Sequence, residues 1–182
     1  MKKIIILKIF SLIIIFNSCS KPSENLSKDD INLLKNCIEY IEAKETKDYK
    51  ECYLVDPYFS AILITNYFDY SDESFEKLFE NKSKDYYKKL QANINSQFLN
   101  KLDKELETFS KCNQSTNYVL RFSGINDKFI MAYVYVYANE VTKQNLIKRN
   151  YEGRVQQIND YIFLLDENKN IKEVLTGGVI FN

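Results

Sequence analysis

The chain has 182 residues, with 25 Lys and Arg against 25 Asp and Glu, four Cys, four Gly, two Pro, no His and no Trp. This is the length of one domain with a real core. The absence of histidine excludes Ser-His and Cys-His nucleophile pairs, an imidazole general base and a His-liganded zinc, leaving Asp, Glu, Lys, Tyr or Cys for any chemistry. Zero net charge, with Lys and Arg interspersed among acids, argues against a nucleic-acid partner.

Residues 1–18 differ from the rest. Lys2 and Lys3 precede an apolar run from Ile4 to Phe16, interrupted only by Lys8 and Ser11, and Asn17-Ser18 supplies small and polar residues before Cys19. A basic head, a short apolar middle and a small residue before the cut form a secretory signal. With cysteine after the cut, Phe16-Asn17-Ser18-Cys19 resembles the lipobox of bacterial lipoproteins. The resemblance implies that the thiol of Cys19 receives a diacylglycerol, that residues 1–18 are removed, and that the new amino group is acylated too. Phe16 stands where Leu is commoner, and Asn17 where Ala or Ser is. Two or three acyl chains, at about 0.8 kcal/mol per buried CH2, are enough for stable anchoring. The expected mature protein carries 22 basic against 25 acidic residues, because the signal holds three Lys and no acid.

Ser20 to Ser27 is polar and contains Pro22, so 19–27 reads as lipidated cysteine plus flexible tether, with a single α+β domain over 28–182. Of the other cysteines, Cys37 falls on the apolar face of a predicted helix and reads as a small buried hydrophobe. Cys37, Cys52 and Cys112 allow three disulfide pairings, which spacing does not separate. No C-x-x-C is present, and no metal or cofactor is expected.

Between Pro57 and Gly124 there is neither Gly nor Pro, and all four glycines lie in the last third, so helices precede strands. Ser27-Lys28-Asp29-Asp30 has capping-box character, and Ile31, Leu34, Ile38 and Ile41 follow at helical spacing, predicting a helix over 28–45. Asp56-Pro57 predicts a second helix to about Phe68, nearly apolar all round. Ser71-Asp72-Glu73 opens another, and 83–111 reads as one long helix or two joined by a kink. The period then changes to two. Strands are predicted at Asn117–Ser123 and Lys128–Asn139, around 150–158, at Asp160–Leu165 and Ile171–Leu175, and at an edge over 179–181. Gly177-Gly178 reads as a bulge or bend. The expected architecture is α+β, with N-terminal helices packed on one face of a four- to five-stranded antiparallel meander. In element order over 27–182 it resembles the NTF2-like and cystatin-like layouts, an analogy that does not fix function.

Strand 129–138 alternates so that Phe129, Met131, Tyr133, Tyr135 and Tyr137 share one face and Ile130, Ala132, Val134, Val136 and Ala138 the other. Small aliphatics admit a helix closely, so the even face is expected to meet the helical layer. The phenols are expected on a half-exposed concave surface that grips a macromolecular partner or small ligand; Arg121 beside them reads as a surface residue that snorkels, or as one that binds an anion or stacks on a ring. The plainer expectation is that Tyr133, Tyr135 and Tyr137 only cover or line the sheet. Asp166-x-Asn168-x-Asn170 matches the start of a calcium loop, but Ile171 and Gly177 stand where such a loop needs Gly and Glu, so a hairpin turn is expected.

These features predict a lipid-anchored, non-catalytic envelope protein. The alternative is an accessory or immunity-type inhibitor acting through acidic helices. An enzyme using carboxylates or a thiol is the third class.

Overall fold

The computed structural model describes residues 26–59, 103–125, 129–150 and 153–181. The predicted helices over 60–68, 71–79 and 83–102 lie outside these residues, as do Cys19 and the signal.

Helix α1 (Lys28–Lys44) starts where the sequence places it. The Ser27 hydroxyl accepts from the Asp30 amide at 3.1 Å, and the Asp30 carboxylate accepts from Ser27 N–H at 3.2 Å, so two free first-turn donors are satisfied reciprocally. The helix buries Leu33, Leu34, Cys37, Ile38 and Ile41. A short α2 (Lys47–Glu51), capped by Thr46, leads to a two-residue strand β1 (Leu54–Val55). Pro57 to Phe59 are not helical: the Asp56 carboxylate accepts from the Tyr58 amide at 3.0 Å and forms a turn, not a helix cap. Similarly, α3 (Lys104–Thr108) has its own cap at Asp103, so the expected long helix does not run unbroken to 111.

The sheet is five strands in the order β1–β2–β3–β4–β5, with β2 at Ser115–Phe122, β3 at Phe129–Thr142, β4 at Val155–Leu165 and β5 at Ile171–Ile180. Strands β2 to β5 form the antiparallel meander, but β1 pairs parallel to β2 through Leu54↔Val119 and Val55↔Leu120, so the sheet is mixed. Two residues carry no readable period, and a strand so distant from β2 in sequence is free of the hairpin constraint that enforces antiparallel pairing. The predicted segments around 150–158 and 160–165 merge into β4, and 171–175 and 179–181 into β5. Gly177 and Gly178 sit inside regular pairing opposite Asp160 and Asn159, so they form no bulge. A Cβ on Gly178 would lie 2.9 Å from Ile158 O, and close strand approach is what the glycine permits. Between β3 and β4 a short helix α4 (Lys143–Lys148), absent from the expectation, is capped by Thr142. The 166–170 turn closes on Asp166, whose carboxylate accepts from the amides of Asn168 and Asn170 at 2.8 Å each.

Each face of the sheet has its own core. Ile130, Ala132 and Val134 share one with the buried residues of α1, Tyr161 and Phe163. Tyr40 of α1 meets the Phe163 ring edge-on at 5.7 Å. Phe129, Met131, Tyr133, Tyr135 and Tyr137 belong to the other core, with Leu54, Val119, Leu146, Ile158 and Ile162. Cys52 and Cys112 form a disulfide beside this second core, and Cys37 is free and buried, its thiol pushed up by burial.

Candidate functional site

The structure brings Arg121, Tyr133, Tyr135 and Tyr137 together, but inside the protein. The three tyrosines are only 2%, 6% and 3% exposed, which corrects the expectation of a half-exposed binding surface. The reason is visible in β3, where every residue from Phe129 to Tyr135 is buried: a strand covered on both faces reads as a near-continuous apolar run. Phe129 to Ala138 carries no charge, and that was the signal for double-sided cover.

Register defines the constellation. Arg121 on β2, Tyr133 on β3, Asp160 on β4 and Gly177 on β5 are successive cross-strand neighbours in one row. The guanidinium lies 4.6 Å above the Tyr135 ring, and its Nη2 donates to the Tyr137 hydroxyl at 3.3 Å. Its Nε sits 2.9 Å from Oδ2 of Asp56, both side chains being largely buried. Tyr135 and Tyr137 stack with centroids 6.1 Å apart, and the Tyr133 hydroxyl donates to Met131 Sδ at 3.6 Å. A Cβ on Gly153 would meet the Tyr137 ring at 2.6 Å, so that glycine lets the chain pass against the phenol.

Burial pushes the Asp56 carboxyl up, and the adjacent Arg121 opposes that shift. The guanidinium is lowered by burial but raised more by Asp56 and the two phenols, so it stays charged. Arg121 therefore stacks on a ring, as one of its expected readings had it, and is not a snorkelling surface residue, its charge being engaged inside by Asp56. An incoming anion would have to displace that carboxylate. As it stands, the cluster fastens β1's exit to β2 and β3.

Two members were missed in the sequence. Asp56 looked like a helix cap, and nothing local links it to Arg121. Asp160 looked like the polar start of a strand, although Ile158 and Ile162 on either side in the alternation marked its face as inward. It is 2% exposed, its Oδ1 has no hydrogen-bond partner among the described residues, and burial raises its pKa to about 6.

Open surface lies at the end of the sheet remote from Ser27. One groove of about 490 Å³ is lined by Asp48, Glu51, Tyr118, Tyr137, Glu140 and Gln156 among others, with no Lys or Arg in its walls among the described residues. A second, of about 540 Å³, adjoins it at Ser115 and includes Glu107 and Lys143, which form an ion pair at 2.8 Å.

Comparison with protein-family models, curated proteins and solved structures finds no match to this chain. The reading of function therefore rests on its own residues.

Proposed function

We propose that this chain is a lipid-anchored protein of the bacterial cell envelope that acts by binding a partner and not by catalysis. The observation that carries the proposal is the basic, apolar and small-residue run ending at Cys19. The Cys52–Cys112 disulfide supports it, since such bonds persist in oxidising compartments. In this reading α1 covers the small-residue face of the sheet. It begins nine residues after Cys19, a span of at most about 32 Å of extended chain, which keeps the domain close to the lipid surface.

Because the phenols are buried, the contact surface moves from the tyrosine stripe to the groove where Tyr137 reaches the end of the sheet. The acidic walls contributed by Asp48, Glu51 and Glu140 favour a partner that presents basic residues. They also favour the second reading, an accessory or immunity-type inhibitor, with α2 and the end of β3 supplying the acids.

Mass spectrometry of the mature N-terminus is the test of anchoring. A diacylglyceryl group on Cys19 is expected, and an unmodified Cys19, or Met1 retained in the membrane fraction, overturns it. For the groove, Gln156→Trp fills the space and Glu51→Lys/Glu140→Lys reverses its charge. Both are expected to abolish cross-linking of the partner at this end. A partner retained by both variants sinks the groove, and loss with charge reversal alone favours the inhibitor.

A further inference from the structure

Strand β5 ends the sheet, and among the described residues it pairs on one side only. Edge strands are ordinarily guarded by Lys, Pro or a bulge. Here Val174–Phe181 holds no charge and no proline, and its pairing to β4 is regular. It ends in the two exposed large hydrophobic residues among those described, Ile180 at 70% and Phe181 at 37%.

Phe181 N–H donates to Gln156 O at 2.8 Å, and the register from Glu173 to Ile180 has no shift. Antiparallel alternation then directs the backbone groups of Leu175, Gly177 and Val179 toward β4. Those of Val174, Thr176, Gly178 and Ile180 point to the outer edge.

We infer that this edge pairs antiparallel with the β5 of a second copy of the chain, about a two-fold axis through Gly177. In that register Ile180 lies opposite the second copy's Val174, and Thr176 opposite its Gly178, so every hydrogen-bonded pair joins outward-directed residues on both strands. The exposed Ile180 gains an apolar neighbour on its own face. Charge favours this register: an axis at Gly177 centres the pairing on the uncharged stretch 174–180 and leaves Lys172 and Glu173 outside it, whereas an axis at either would set like charges opposite each other. The two five-stranded sheets become one of ten.

A two-fold relating antiparallel strands of one sheet is normal to that sheet, so both α1 helices, each capped at Ser27, lie on the same side. Two anchored copies therefore reach one membrane. This point alone rests on the lipid-anchoring reading; the edge pairing does not.

The experiment is light scattering of the full chain in mild detergent, with three variants. Wild type is expected at twice the protomer mass. Thr176→Lys places two ammonium groups in the paired stretch and is expected to run as a monomer with unchanged circular dichroism. Gly177 has no positive φ and would face its own copy as a non-hydrogen-bonded pair, with Cα atoms about 4.5 Å apart, a separation a disulfide spans. Gly177→Cys is therefore expected to give a covalent dimer on mild oxidation, and Lys172→Cys is not. A monomeric wild type without Gly177→Cys cross-linking overturns the inference, as does a dimer untouched by Thr176→Lys. A monomer that instead binds the strand of another protein also overturns it. Mass spectrometry of Cys19, run on the same sample, separates the two proposals: a dimer without lipid sinks only the anchoring, and a lipidated monomer sinks only the pairing.

Discussion

The two faces of the sheet are buried to similar degrees but built on different principles. On the α1 side, Ile130, Ala132 and Val134 make a small-residue platform with a hydrogen-bonded cluster at its margin, and the Tyr49 hydroxyl in the same core has no hydrogen-bond partner among the described residues. Glu45 accepts from Asn159 Nδ2 at 2.9 Å and from the Tyr161 hydroxyl at 2.6 Å. The tyrosine side instead encloses a guanidinium, its carboxylate partner and a second carboxylate whose Oδ1 is unpaired among the described residues. One face is stabilised mainly by ordinary packing of uncharged side chains. The other holds charge in its interior, where each member depends strongly on its partner.

That contrast breaks most sharply at the buried ion pair. Asp56→Ala leaves Arg121 charged and without its carboxylate, and the expected loss is about 3–5 kcal/mol of unfolding free energy in a urea titration. A loss below about 1 kcal/mol would mean that water reaches the guanidinium and that the tyrosine side is open after all.

Asp160 tests the same face in the opposite direction. Its carboxyl titrates near 6 in the folded chain against about 3.9 unfolded, so the native state binds the extra proton. The favourable contribution is complete below about pH 4 and is lost as pH rises through 6. Relative to a neutral residue, ionised Asp160 costs about 3 kcal/mol at pH 7. Asp160→Asn is expected to recover much of that at pH 7 and to flatten stability between pH 4 and 6; equal stability of the two proteins at both ends of that range would refute it.

The α1 side should respond more mildly. Tyr161→Phe removes one hydrogen bond to Glu45 and leaves Asn159 in place, so about 1–2 kcal/mol is expected in thermal or urea unfolding. If this variant loses as much as Asp56→Ala, the distinction between the faces fails.

Several of these features were legible beforehand. The capping box at Ser27, the 3-4-3 spacing of α1 and the alternation of β3 are each set by residues within a few positions of one another. The fates of Cys37 as a buried thiol and of 166–170 as a turn followed from the same local chemistry. Alternation correctly sorted Tyr133, Tyr135 and Tyr137 onto one face, but it says nothing about what lies over that face. Long-range pairing was likewise beyond reach: three cysteines left the disulfide open, and Asp56 gave no sign of Arg121, since both contacts join segments some sixty residues apart.

From its residues alone the chain determined where α1 starts, the period of β3 and which of their side chains share a face, because rotation per residue and first-turn capping are short-range properties of the backbone. The tertiary structure decided that β1 runs parallel, that both faces of β3 are covered, and that Arg121 meets Asp56 where an open surface had been expected. Those outcomes depend on which distant segments exclude water from a given side chain, and burial of that kind is a property of the assembled fold.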